Sequence, residues 1–425
     1  MYEKTVLDNG LRVITSSMPQ SRSVSLVILV GTGSCHESNE QAGISHFAEH
    51  LFFKGTERRP TAKEVSQDIE GVGGILNGST DKEVTALWCK VASHHFSTGL
   101  DVLSDILLHS RFDAQEIDRE RQVIIEEINM NLDIPQQRVN RLIDELLWPD
   151  QPLGREIIGY KETVSAITRE HLLEYVARRY KPNNTVISIA GNITHQEALA
   201  QIKPVFDNWA PDELASTYAT DDKQTEARLR VEHRDIEQAH LCLAVHGFSH
   251  SHPHRFTIDL LNTVLGGGMS SRLFIEIRER KGLAYDIHSY SEHFLSSGSL
   301  IIYAGVDPRK ANTALAAILE ELSKIRKGIS QAELTRAKEL SKGRLYLRFE
   351  DTHNVALWYG GQEILTQRIL DIDEVISILD SITIDELTEV SQQILTDGAL
   401  NLAIIGPPDK QSTVKEESLK PALRL

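Results

Sequence analysis

Two apolar strands that end in glycine, Thr185–Gly191 and Leu400–Gly406, close two stretches of similar design, and this repetition limits the possible folds more than any other feature of the chain. The first stretch opens with strand patterns at Leu11–Thr15 and Val24–Val30, passes through helical patterns at Ile44–Phe53 and Ala62–Glu70, and returns to strand at Glu83–Val91. Long helical patterns follow at Ser97–Ser110, Ala114–Met130 and Pro135–Leu147. The second stretch repeats the plan at low fidelity, with strands at His240–Val245 and Leu300–Gly305 around a helix at Arg255–Leu265, then helices at Arg309–Arg326, Gln331–Glu350 and Val355–Leu370. A chain of 425 residues also exceeds the roughly 250–300 residues at which a single core stops growing. The expectation is an α+β fold of two homologous domains, each a mixed or antiparallel sheet packed with helices. Residues 1–210 form the first, a polar linker spans 211–228, residues 229–425 form the second, and the polar stretch from Pro407 is a loosely held tail.

Composition removes several functions. No apolar run is long enough to span a bilayer, and the N-terminus enters a strand and an Asn9-Gly10 turn without a signal-like segment, so cytoplasmic residence is expected and no membrane partner. A formal net charge of -16 lacks the basic footprint that nucleic acid requires. The same charge would attract basic peptides if it lines a cavity. Cys35, Cys89 and Cys242 are odd in number and isolated, and read as small buried hydrophobes.

The chemistry lies in His46-Phe47-Ala48-Glu49-His50. On a helix, residues four apart share a face, so His46 and His50 can hold one metal ion while Glu49 reaches a bound water without being a ligand. This is the H-x-x-E-H pattern of the inverted zincins. The pentapeptide is equally compatible with a helix that carries two unrelated histidines, and a metal site needs a third ligand. In the helical pattern Ala114–Met130, Glu127 falls near an apolar face with Val123, Ile124 and Ile128, and Glu120 falls seven residues earlier on the same side. A carboxylate facing a core is costly unless charge meets it, which favours Glu127 as the ligand and leaves Glu126 as its solvated neighbour.

The run Gly43-Ile44-Ser45-His46-Phe47-Ala48-Glu49-His50-Leu51-Phe52-Phe53-Lys54-Gly55-Thr56 resembles the active-site helix of the pitrilysin family, especially the mitochondrial processing peptidase branch and its bacterial relatives. The resemblance continues through Glu120–Ile128, Gly73–Thr80, Gln151–Gly154 and Tyr180–Asn184 and covers nearly the whole chain. It implies one Zn2+ per chain on His46, His50 and Glu127, with Glu49 as general base on zinc-bound water and Glu120 orienting a histidine. Asn77 and Gly78 resemble the start of the edge strand on which such enzymes lay substrate backbone. Relatives often have alanine at position 78, and glycine there would loosen the edge slightly.

In the second half, Ser271–Phe274 followed by Ile277–Tyr285 is similar to the family's arginine-tyrosine segment. The likeness assigns Arg278 to the substrate carbonyl and Tyr285 to the oxyanion; without it, Arg278 is one of several charges on a solvated helix. Family members close two halves around a chamber, each half made of two such domains, and this chain supplies one half of the clamshell. The implied protein is a homodimeric endopeptidase acting on unfolded peptides, basic ones among them. The rival is a noncatalytic scaffold or core-type subunit of the same fold. The histidines at 246, 250, 252 and 254, and His94-His95, read as solvated loops and not as a second metal site.

Overall fold

The computed structural model describes residues 2–214, 218–408 and 414–425. The chain forms two compact units, one of Met1–Met130, Arg155–Tyr218 and Tyr346–Asp371, the other of Asn131–Gly154, Ala219–Leu345 and Ile372–Leu425. The first unit carries a six-stranded sheet of β1 (Glu3–Val6), β2 (Arg12–Ser17), β3 (Ser23–Val30), β4 (Ile75–Thr80), β5 (Thr85–Ala92) and β6 (Thr185–Gly191), in the order β1-β2-β6-β3-β5-β4. The second carries β7 (Arg228–His233), β8 (Ala239–His246), β9 (Ala284–His293), β10 (Gly298–Val306) and β11 (Asn401–Gly406), in the order β7-β11-β8-β10-β9. β2 pairs in parallel with β6 and β7 with β11, and all other neighbours are antiparallel. Without β1 the two sheets have one topology: the first strand lies beside the fifth, followed by the second, fourth and third. In both, the third strand is an edge.

Strands covered on both faces read as unbroken apolar runs. β6 and β10 are buried at every residue, as is β3 after Ser23. β4 instead alternates exposed and half-buried positions, and it begins at Ile75, two residues before the expected Asn77. The three cysteines are free and buried. Among the described residues, no helix is long and apolar enough to cross a membrane.

Each unit takes one helix from the other half of the sequence. Helix Pro135–Leu147, with proline at its start, belongs to the second unit and buries Val139, Leu142, Ile143 and Leu147. Helix Thr352–Thr366 belongs to the first and places Val355, Ala356 and Tyr359 in one cluster with Ile14, Val27, Leu29, Ala86, Val186 and Ala190. The contiguous halves 1–210 and 229–425 therefore differ from the compact units by this exchange. Helical periodicity shows which face is apolar but not which sheet receives it. The boundary between Tyr218 and Ala219 falls in the stretch 211–228, of which 215–217 lie outside the described residues and Arg228 already belongs to β7.

The tail from Pro407 is not loose as a whole. Residues 409–413 lie outside the described residues, but Glu416–Ala422 is helical and Val414, Leu419 and Leu423 are buried. Three apolar side chains on a polar segment suffice to dock it.

Gly360 sets how closely its helix approaches the first sheet. A Cβ there would stand 2.4 Å from Leu29 Cδ1 and 2.7 Å from Ser188 Cβ. Alanine would gain about 1 kcal/mol of helix propensity, but overpacking a tight core costs about 1–3 kcal/mol, and Ser188 sits on a central strand that cannot yield. Gly360→Ala is expected to lower stability by about 1 kcal/mol or more, read as a lower denaturant midpoint at unchanged slope.

Candidate metal centre

The motif helix, Ile44–Phe52, starts from a left-handed Gly43 with φ of 95°. Its first N–H groups are satisfied by a residue that sequence reading did not single out. Glu37 accepts from the N–H groups of Gly43 and Ser45, both at 2.8 Å, placing a carboxylate at the positive end of the helix dipole. Ser45 Oγ then contacts Tyr175 Oη at 2.6 Å, which meets Thr32 Oγ1 at 2.9 Å. Burial pushes the Glu37 carboxyl up to about 7, against the hydrogen bonds from Ser45 and Gly43 that favour its ionised form.

Four positions downstream of one another, the His46 and His50 rings stand 4.5 Å apart between centroids. Helix Ala114–Asp133 crosses beside them and buries Ile117, Glu120, Ile124 and Ile128 along one stripe. Glu127 Oε2 lies 3.9 Å from His46 Nε2 and 3.7 Å from His50 Nε2. Glu120 Oε2 lies 3.0 Å from His50 Nδ1. Burial logic on the sequence favours Glu127 as the core-facing carboxylate, and here the structure differs. Glu120 occupies the apolar stripe, the Glu127 side chain is 34% exposed, and Val123 is exposed too. Glu127 meets the imidazoles because it sits at the stripe's margin. Glu126 is exposed, as expected.

His46, Glu49 and His50 each offer a ligand atom within 4.8 Å of the others. A zinc ion fits the neighbouring trio of His46 Nε2, His50 Nε2 and Glu127 Oε2. Bonds of about 2.0–2.1 Å to tetrahedral zinc imply ligand-to-ligand edges of about 3.3 Å, and the observed 3.7 and 3.9 Å are too long for hydrogen bonds but close to such an edge. The protonation states agree. Burial, then the charge of His50, pushes His46 down to about 3, leaving a neutral imidazole. An ionised carboxylate only accepts, so Glu120 takes the hydrogen bond from His50 Nδ1 and leaves Nε2 as the nitrogen turned towards Glu127. Burial raises the Glu120 pKa, but His50 and Lys54 outweigh it and hold the group below its ordinary value.

Glu49 differs from both. Burial pushes its pKa up and the nearby Glu127 adds to this, against the pull of His50. Beside it runs β4, where a Cβ on Gly78 would stand 2.5 Å from Glu49 Oε1 and 2.8 Å from Phe53 Cε2. Glycine at this position thus leaves room for the Glu49 carboxylate. Asn77 is exposed and accepts through Oδ1 from the Gly78 N–H.

Arg278 and Tyr285 form a pair of their own in the second unit. Arg278 lies on a π-helical segment, Phe274–Arg280, and Tyr285 on β9, with 78% of the tyrosine exposed. The guanidinium sits 5.3 Å from the Tyr285 ring centroid and 4.7 Å from that of Phe274. The histidine loop after β8 is less solvated than expected: His252 stacks on Phe248 at 4.0 Å, and burial pushes His250 down to about 3. Among the described residues, His46, Glu49 and His50 are the one group of metal-competent side chains found.

Residues 12–161 match the family described as Insulinase (Peptidase family M16), and residues 166–341 match its companion, Peptidase M16 inactive domain. The uncharacterized zinc protease YmxG of Bacillus subtilis is 36% identical over 96% of this chain and 98% of its own length. An uncharacterized zinc protease of Mycobacterium leprae is 34% identical over 97% and 94%. Among solved structures, a protease from Helicobacter pylori superposes with a TM-score of 0.91 at 24% identity, covering 96% of this chain and 99% of that one. A chain of complex III2 from Candida albicans superposes at 0.84 with 17% identity, over the full length of both. At these identities the structural likeness speaks for the fold alone.

The Glu37 cap has a measurable signature. Its folded-state pKa of about 7 exceeds the ordinary 4.5, so the folded protein holds that proton more tightly and the Glu37 contribution to stability falls as pH rises through this window. Glu37→Gln is expected to flatten that part of the stability profile. Glu37→Ala leaves the Gly43 and Ser45 N–H groups without partners and is expected to cost about 2 kcal/mol in denaturant unfolding.

Proposed function

Because the chain belongs to peptidase family M16, we propose that it is a zinc-dependent endopeptidase in which His46, His50 and Glu127 hold one zinc ion and Glu49 is the general base. The observation that carries this reading is the convergence of two imidazole nitrogens and the Glu127 carboxylate oxygen, with the Glu49 carboxylate close beside them. A zinc ion held there supplies Lewis-acid polarisation of the scissile carbonyl and makes water easier to deprotonate.

The protein's own groups do the rest. Glu49, its pKa raised by burial, is suited to taking a proton from the attacking water and returning it to the leaving amine. Glu120 keeps the His50 ring in place. β4, an edge strand at whose centre Asn77 and Gly78 sit, offers backbone pairing to an extended substrate and so favours unfolded peptides over a particular sequence. The net charge of -16 draws basic peptides more strongly than acidic ones.

Arg278 and Tyr285 bind the substrate carbonyl and the developing oxyanion. In this reading a homodimer encloses the chamber, and each zinc site is completed by the Arg278 and Tyr285 of the second copy. The pair supports this, since the exposed Tyr285 is held beside the Arg278 guanidinium, 5.3 Å from its ring centroid. A noncatalytic scaffold is the competing reading, because a complex III2 chain has the same fold. The four intact motif residues favour the enzyme.

Glu49→Gln is expected to retain zinc and lose about 10²–10⁴-fold of its cleavage of a quenched peptide; equal activity in both forms would refute the mechanism. The dimer has its own test. Glu49→Gln and Tyr285→Phe chains, each inactive alone, are expected to regain activity when mixed, since one site of the mixed dimer then carries both intact groups. No recovery among mixed dimers verified by mass spectrometry would refute the shared site.

A further inference from the structure

We propose that Lys54 is a positioning residue of the metal centre, acting through Glu120 on the His50 ring and so setting how tightly zinc is held. This rests on the zinc-peptidase reading and deepens it. Lys54 follows His50 by four residues, just past the end of the motif helix, so both face the same neighbour. The Glu120 carboxylate lies between them, with Oε2 at 3.0 Å from His50 Nδ1 and Oε1 at 2.8 Å from Lys54 Nζ. A carboxylate with one partner can pivot about its last torsion. With a partner on each oxygen it is fixed in plane, and the imidazole is fixed with it.

The backbone that delivers Lys54 is itself held. The Lys54 N–H closes the helix on Leu51 O at 3.1 Å, and Gly55 then turns with φ of 131°, where a Cβ would stand 2.5 Å from Pro60 O. Thr56 Oγ1 donates to Asp105 Oδ2 at 2.7 Å, and Arg59 Nη1 donates to the same oxygen at 2.7 Å. The Asp105 side chain has no exposed surface, so its charge demands these partners and pins the turn in return. Lys54 is therefore not a freely moving surface lysine, although 28% of its side chain is exposed.

Charge leads to the same assignment. Glu49, Glu120 and Glu127 bring three carboxylates to one place, and a divalent ion leaves one negative charge unbalanced. The Lys54 ammonium offsets it through Glu120, 2.8 Å from Oε1. The bland alternative is an ion pair that merely docks the two helices; it predicts a change in folding stability and none in metal affinity.

Competition for Zn2+ against a chelator of known affinity separates the two, using the full chain and circular dichroism of the zinc-free forms as a control for folding. Lys54→Met is expected to weaken zinc binding by about tenfold, the low end of what removing an outer-sphere partner does, while Lys54→Arg stays close to wild type. Combining Lys54→Met with Glu120→Gln should weaken binding no further than Glu120→Gln alone, because the lysine acts only through that carboxylate. Should Lys54→Met not fold, Lys54→Gln keeps a neutral donor for docking while removing the charge, and zinc binding weaker than that of the wild type is expected of it. Unchanged affinity in the neutral variants, or full additivity in the double variant, overturns the proposal and leaves the peptidase reading standing. A wild-type chain that binds no zinc overturns both.

Discussion

Placing a carboxylate in the apolar stripe of a helix is unfavourable unless charge comes to meet it, and Glu120 is met twice, by His50 and by Lys54. Everything at the candidate centre follows from that satisfied burial. It docks helix Ala114–Asp133 against the motif helix in one register, and this register brings Glu127 to the imidazoles. It also leaves His50 Nδ1 hydrogen-bonded to Glu120 and Nε2 turned towards Glu127. A shift of one residue along the long helix would turn Glu120 out of the stripe and take Glu127 away from both rings.

The motif helix is restrained at both ends by carboxylates of different character. Glu37 meets its first N–H groups, and Asp105 holds the turn that follows it. Between these anchors the helix presents His46, Glu49 and His50 to one side, and β4 passes close enough that position 78 has no room for a methyl group without moving Glu49. The duplicated topology gives β9 in the second sheet the place β4 has in the first. Tyr285 lies on that strand. The repeat thus puts Asn77 and Gly78 on an edge strand of the first sheet and Tyr285 on the equivalent edge strand of the second.

Much of this was legible in the sequence where periodicity and burial coincide. The helices Ala62–Glu70, Pro135–Leu147 and Arg255–Leu265 lie where their patterns placed them, because each has one clear apolar face. The strands β7 and β9 and the start of β4 were not legible, since half-exposed or edge strands lack the apolar runs of central ones. The exchange of two helices between units was hidden for a different reason: an apolar face does not name its partner. At the centre, the histidine spacing could be read, but the burial argument gave Glu127 the core-facing place that Glu120 holds, and the resemblance supplied Arg278 and Tyr285. Glu37 and Lys54 could not be found, because a lone glutamate before a glycine-led helix and a lysine after it carry no signal until their partners are located.

The central claim is that two imidazoles and one carboxylate from this chain form a single zinc site. Zinc K-edge X-ray absorption on the chain loaded with one equivalent tests it most directly. The account predicts a low-coordinate nitrogen and oxygen shell at about 2.0–2.1 Å with the outer-shell scattering of two imidazoles and no sulfur. A sulfur shell near 2.3 Å, or a six-oxygen shell without imidazole scattering, would contradict it.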